Sequence, residues 1–234
     1  PHDILTKRIG EYLPGDPVLR EMMVKSYDIL KDHPVNIKRR EQGKNPANSA
    51  WFWGAGTRPA LISFEKKNGV KGAMISAVDL LKGIAVGAEM DNITVEGANG
   101  GLDTNYAGKG QAAVKALIRD GYDFVYVHIE APDEMGHQGS AENKILAIER
   151  IDEKIICPVV QAFQEAGTDF RMLILPDHPT PVRVRTHTGD PVPYLLYDST
   201  ENVNGPDTYS EKTGAQTGIY VAEGYTLLSR LLGK

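Results

Sequence analysis

Asp133 and His137 stand four residues apart in Asp133-Glu134-Met135-Gly136-His137, a few residues after the apolar run Phe124-Val125-Tyr126-Val127-His128-Ile129. A carboxylate oxygen and an imidazole nitrogen are hard-to-borderline ligands, suited to zinc, manganese or magnesium. The pattern then recurs. Arg171-Met172-Leu173-Ile174-Leu175 is a second apolar run, it leads into Pro176-Asp177-His178, and His187 follows nine residues later. Any one of these histidines, taken alone, reads equally well as half of an ordinary hydrogen-bonded pair. Together, two Asp and three His at strand ends exceed what one catalytic zinc with an open position takes. They suggest two ions about 3.5–4 Å apart, an arrangement suited to phosphoryl displacement. With a single cysteine in the chain, a cysteine-ligated zinc or iron–sulfur site is excluded.

The elements that must place these ligands alternate in type. Strand-like runs are predicted at Ala50–Trp53, Gly72–Ala77, Ile93–Val95, Phe124–Ile129, Met172–Leu175 and Pro193–Tyr197. Helical patterns fall near Ile62–Asn68, from Asp79, over Lys109–Arg119 and from Tyr225. Such alternation predicts βαβ units around a mostly parallel sheet flanked by helices, where ligands gather at the carboxyl ends of the strands. A long amphipathic helix over Glu142–Glu165 carries Ile145, Ile148, Ile151, Ile155 and Val159 at spacings of three and four and is expected to cover the sheet. Pro158 should kink or divide it. The first 48 residues are Pro-rich and charged around one helical pattern at Val18–Leu30, with Asp16 as N-cap and Pro17 at the first helical position. His128, inside an apolar strand, reads as a core histidine. His33, before Pro34, reads as a charge at a helix C-terminus, and Cys157 as structural, since no basic neighbour lowers its pKa.

Composition narrows the function classes. The chain has 234 residues, a formal net charge of −5 and 41% hydrophobic residues, with a pI near 5.7. These values argue against a nucleic-acid or membrane-surface partner while leaving room for a local basic pocket and a small anionic substrate. No apolar run approaches a membrane span. One cysteine fits a reducing, cytoplasmic compartment.

The sequence resembles the cofactor-independent phosphoglycerate mutases of the archaeal type, in the alkaline phosphatase-like superfamily. The resemblance is carried by Val127 through His137, Pro176-Asp177-His178-Pro179-Thr180-Pro181 and Arg185-Thr186-His187-Thr188-Gly189-Asp190-Pro191-Val192-Pro193. His33–Asn36, Pro46–Asn48, Trp51–Gly54, Ile75–Leu80 and Asp103–Tyr106 extend it over most of the chain. It implies two divalent ions, manganese first, with magnesium or zinc as alternatives. One ion would be held by Asp133, His137 and His187, the other by Asp177 and His178. It also implies interconversion of 3-phosphoglycerate and 2-phosphoglycerate through a phosphoserine. The family completes the second ion with an Asp from an N-terminal Asp-Gly strand and with the serine nucleophile, neither of which has a counterpart here, and none of Ser49, Ser76 and Ser140 stands in the nucleophile's context. A phosphorylated carboxylate requires cations, for which Arg58 and Lys82 are the first candidates and Arg39 and His2 the second.

By the same resemblance, residues 1–48 are the end of an inserted substrate-binding cap and residues 49–234 the bulk of the phosphatase-like metal-binding domain. The opening Pro1-His2-Asp3 lacks an initiator Met, so the chain is expected to be part of a longer polypeptide. Two alternatives remain: a metal-dependent phosphomonoesterase of the same superfamily, and a catalytically incomplete piece that only binds metal. Sequence leaves the oligomeric state open.

Overall fold

Why the metal-ligand stretches end up together follows from the second of two compact units, residues 1–59 and 60–234. The computed structural model describes residue 4 and residues 7–54, 56–203 and 205–234. In the first unit, a 3-10 turn at Ile9–Tyr12 precedes α1 (Pro17–Leu30) and α2 (Pro34–Glu41). Asp16 caps α1 as expected, its Oδ1 accepting from the backbone N–H of Val18 and Leu19 at 2.9 and 3.0 Å. The second helix is a correction to the single expected one. Its sequence, PVNIKRRE, has little apolar period, so the start depends on capping: Pro34 sits at N1 and His33 Nδ1 accepts from Val35 N–H. His33 therefore serves a helix N-terminus, opposite to the C-terminal role expected of it.

Ala50–Trp53 forms no strand. Side chains tie it down instead: Ala50 N–H donates to Ser26 Oγ, while just before it buried Asn36 accepts from Ala47 N–H and donates to the Leu30 and Ala47 carbonyls. The apolar look of Trp51-Phe52-Trp53 misled because Trp53 is 69% exposed.

The second unit begins with α3 (Phe64–Asn68), then runs β1 (Gly72–Ile75), α4 (Asp79–Gly87), β2 (Asp91–Asn92), α5 (Tyr106–Ile118), β3 (Phe124–Val127), α6 (Ala131–Gln138), α7 (Ala141–Ile151), α8 (Cys157–Ala166), β4 (Arg171–Ile174), β5 (Leu195–Asp198), α9 (Glu211–Gln216) and α10 (Leu227–Leu231). The order β2-β1-β3 is parallel throughout, with Gly72 opposite Phe124 and Ile75 opposite Val127. This is the helix-flanked parallel sheet expected from the alternation. β1, flanked on both sides, is buried at every residue, whereas β3 is an edge among the described strands and leaves Tyr126 exposed. β2 uses Asp91 and Asn92 rather than Ile93–Val95. The Pro193–Tyr197 run supplies β5, which pairs antiparallel with β4.

The long helix is divided at Pro158, though not by a simple kink. A π turn over Asp152–Ile156 separates α7 from α8, and Cys157 N–H donates to the Asp152 carbonyl five residues back. Proline near the start of α8 offers no N–H, so the widened turn costs fewer hydrogen bonds there. The π turn also explains why part of the expected buried face was wrong. Ile145 and Ile148 are exposed, and Ala147, Ile155, Val159 and Phe163 are buried, with Ile151 packed against them. A strict four-residue step drifts about 40° each time round an ordinary helix of 3.6 residues per turn, and the π turn takes up much of that drift. Tyr106 and Ala131 complete this core. It clamps α5 and the start of α6 to α8, which anchors the turn after β3.

Candidate metal centre

α6 presents Asp133 and His137 one turn apart, so both side chains leave the same face. The helix ends at Gly139 in the left-handed conformation, φ 73°, where the Arg185 guanidinium lies against it; a Cβ at that glycine would clash with the guanidinium. That approach brings the 185–187 loop over α6. His137 Nδ1 lies 3.0 Å from the Arg185 carbonyl, and Arg185 itself is held at φ 59°, a strained conformation for an arginine. A carbonyl only accepts, so the Nδ1 of His137 carries a proton and Nε2 is turned towards Asp133 and His187. A backbone partner of this kind orients metal-binding histidines.

Three side chains then converge, the two imidazole Nε2 atoms meeting each other and each facing a different oxygen of the Asp133 carboxylate. His137 Nε2 is 3.2 Å from His187 Nε2 and 3.3 Å from Asp133 Oδ2, and His187 Nε2 is 3.4 Å from Asp133 Oδ1. Zinc–nitrogen bonds of about 2.0–2.1 Å at a tetrahedral centre place ligands roughly 3.3–3.4 Å apart, so the donor set fits a divalent ion. The side chains of His137 and Asp133 are 9% and 26% exposed and that of His187 is 44% exposed, so the group is sheltered on the α6 side and open to water on the His187 side.

Asp177 and His178 adjoin this triangle of side chains. The His178 ring stacks on that of His187, centroids 3.6 Å apart, and its Nε2 lies 3.3 Å from Asp177 Oδ2. Thr180, which sequence reasoning did not single out, joins the two groups: its hydroxyl donates a short bond to Asp133 Oδ1 and lies 3.2 Å from His178 Nδ1. One hydroxyl carries one proton. Since that proton goes to the carboxylate, His178 Nδ1 donates to the hydroxyl, while Nε2 faces Asp177. The five candidate ligands are thus brought together, three in a triangle and two as a single edge beside it.

Other groups near the site escaped the sequence reading. Lys109 on α5 is almost wholly buried and donates from Nζ to the His128 carbonyl at 3.1 Å; burial pushes its pKa down. Glu130, at the start of α6, is pushed up, first by burial and then by Glu134 and Asp133. Lys144 on α7 donates to the Thr180 carbonyl at 2.7 Å. Neither lysine carries a motif; only the turn after β3 makes their positions informative. His128 takes the core role expected of it, with Nδ1 3.3 Å from Ser76 Oγ and its pKa lowered by burial. Ser76 Oγ also accepts from Val78 N–H, and Ser140 caps α7.

The substrate-binding candidates are scattered. Arg39 and Arg58 belong to the first unit, where Arg39 Nε donates to the Asn45 carbonyl at 2.7 Å and Arg58 is exposed. Lys82 on α4 pairs with Asp79 at 3.2 Å. His2 lies outside the described residues.

The comparisons place the chain by class first. Residues 24–221 match the Metalloenzyme superfamily, and the chain belongs to that family. More particularly, a 2,3-bisphosphoglycerate-independent phosphoglycerate mutase of Methanosarcina mazei is 49% identical over 222 residues, covering 92% of this chain and 55% of the relative. A probable enzyme of the same name from Geobacter sulfurreducens is 45% identical and covers the whole chain and 59% of its own length. Among solved structures, a Pyrococcus horikoshii protein aligns with a TM-score of 0.69 at 34% identity, covering 85% of this chain and 51% of its own. A cofactor-independent phosphoglycerate mutase from Thermoplasma acidophilum aligns at 0.52 and 25%, covering 94% and 54%. The chain spans little more than half the length of the relatives it matches.

Proposed function

We propose that this chain is the metal-binding portion of a 2,3-bisphosphoglycerate-independent phosphoglycerate mutase, interconverting 3- and 2-phosphoglycerate. The observation that carries the reading is the Asp133–His137–His187 triangle, whose contacts of 3.2–3.4 Å suit one divalent ion. In this reading Asp133, His137 and His187 hold one ion, and Asp177 and His178 contribute to a second, with manganese the first choice and magnesium or zinc the alternatives. Bound there, the ions would neutralise charge on a transferring phosphoryl group and lower the pKa of the attacking hydroxyl.

The chain's own residues act by orientation. The Arg185 carbonyl holds His137 with Nε2 turned towards Asp133 and His187, the Thr180 hydroxyl holds Asp133 and His178 together, and Gly139 lets the His187 loop approach. Arg58, Lys82, Arg39 and His2 would supply the positive charge that a phosphorylated carboxylate requires. In this reading residues 1–48 are the end of a substrate-binding cap. The single cysteine favours a reducing, cytoplasmic compartment, and among the described residues no helix is long and apolar enough to cross a membrane.

The test is an assay with manganese and 3-phosphoglycerate, following 2-phosphoglycerate and inorganic phosphate separately. The chain alone, with two protein ligands for the second ion, is expected to show no turnover. Joined to the portion of the M. mazei mutase outside the match, it is expected to form 2-phosphoglycerate, and His187→Ala is expected to abolish this while leaving the fold intact. Release of phosphate without 2-phosphoglycerate would replace the mutase reading with a phosphomonoesterase.

A further inference from the structure

We propose that Lys144 is a positioning residue of the metal centre, one that sets the Asp133 carboxylate through Thr180; the inference rests on the metal-binding reading above. At Gly136, in the middle of α6, a Cβ would collide with the Thr180 carbonyl oxygen and would sit 3.1 Å from Lys144 Nζ. The carbonyl is therefore drawn against the helix backbone at the one residue of the turn that has no side chain. What draws it is the ammonium of Lys144, 2.7 Å away from the first turn of α7.

The residue so held is itself almost fully buried, at 3% exposure, and is flanked by Pro179 and Pro181, which leave its backbone little freedom. With the carbonyl fixed on one side, the Thr180 hydroxyl has one place to go. It donates to Asp133 Oδ1 and accepts from His178 Nδ1. Lys144 thus ties α7 to the loop carrying His178, and that loop to the carboxylate on α6. Burial lowers the lysine's pKa, while Asp133 and Glu211 act in the opposite direction. A charged donor on a buried carbonyl is stronger than a neutral one and harder to replace with water. Groups that orient a metal ligand from behind typically change metal affinity by about 10–100-fold when removed.

The experiment is a Mn²⁺ titration of the 234-residue chain, reading free Mn²⁺ by its electron paramagnetic resonance signal. It compares the unaltered chain with Lys144→Met, Thr180→Val, the double variant, and Val159→Ala as a core control remote from the ligands. Thermal midpoints in chelator are recorded for each. Lys144→Met and Thr180→Val are each expected to weaken Mn²⁺ binding about 10–100-fold. The double variant is expected to be no weaker than the worse single, because both break one chain of contacts. Val159→Ala is expected to lower the midpoint without changing the affinity.

Wild-type affinity in Lys144→Met overturns the proposal. So do losses that multiply in the double variant, or a loss in Val159→Ala as large as in Lys144→Met, which would mark the effect as general loosening. If Lys144→Met does not fold, Thr180→Val decides: a tenfold loss or more supports the positioning role, and unchanged affinity overturns it. Absence of Mn²⁺ binding by the unaltered chain is a different result, since it removes the metal reading itself and the inference with it.

Discussion

The two groups of candidate ligands are built differently. Asp133 and His137 come from one face of a helix anchored by the core cluster of Tyr106, Ala131 and Ala147, and His137 is further tied to the Arg185 carbonyl. Asp177 and His178 are neighbours in a loop just past β4, and the Asp177 side chain is 64% exposed against 26% for Asp133. A helix turn spaces two ligands without effort, and a third from a loop then closes the triangle. Adjacent residues give only one edge, and an exposed carboxylate keeps its water. The triangle is pre-organised and the edge is not, so metal affinity should reside in the first.

The largest expected effect follows. Asp133→Asn keeps the shape and can still accept from Thr180, but it removes the one anionic ligand of the triangle. Mn²⁺ affinity measured by calorimetry should fall more than about 100-fold, beyond the range for a supporting residue. Asp177→Asn in the same titration should change the tightest binding by about tenfold or less, and the unaltered chain should take at most one ion. Equal losses in the two variants would erase the distinction between triangle and edge.

The same contrast explains how much of the site could be read from sequence. Asp133, His137, Asp177 and His178 announce themselves because they come soon after apolar runs, and strand ends in an α/β protein collect ligands; His187 stands out by following nine residues after His178. The parallel sheet was legible for a related reason, since alternating runs leave few topologies. Thr180, Lys144 and Arg185 carry no such signal: their importance arises from contacts over 36 to 48 residues of chain, which no local spacing encodes. The long helix and its division at Pro158 were legible, as was the burial of Ile151, Ile155 and Val159, but Ile145 and Ile148 were misplaced for a different cause. A period read as three and four assumed an ordinary helix, and the π turn before Pro158 rotated the buried face away from Ile145 and Ile148. Ala50–Trp53 forms no strand: Ser26 takes the Ala50 N–H and Asn36 ties down Ala47 just before it. The Arg and Lys candidates for substrate came from charge requirement alone, and charge gives no position.

A smaller effect tests the helix side for tolerance. Gly136→Ala puts a methyl group into the Thr180 carbonyl, so loop and helix must separate. The expected cost is about 1–3 kcal/mol, as for other overpacked sites, read from the urea midpoint in chelator. The usual gain of alanine over glycine in a helix, about 1 kcal/mol, works against this, so the variant discriminates. A midpoint equal to or above that of the unaltered chain would mean the carbonyl can move away freely and that the close approach is incidental.

The smallest effect lies on the loop side, at the strand pair that carries Asp177 and His178. Asp198 on β5 accepts from the Thr200 hydroxyl and backbone N–H and pairs with Arg171 on β4, and these bonds lower its pKa to about 2. An unfolded aspartate titrates near 3.9. Because the folded value is the lower one, the carboxylate's contribution is fully present above about pH 4 and disappears as the pH falls from there towards 2. Asp198→Asn removes the titrating group without altering the others. Its thermal midpoint should therefore lie slightly below that of the unaltered chain at pH 6, by a few degrees or less, since exposed pairs contribute little. The difference should shrink as both proteins are taken to pH 2.5, the carboxylates common to both cancelling in the comparison. A gap that stays constant over that range would show that Asp198 holds the strand pair by shape and neutral hydrogen bonds, not by its charge.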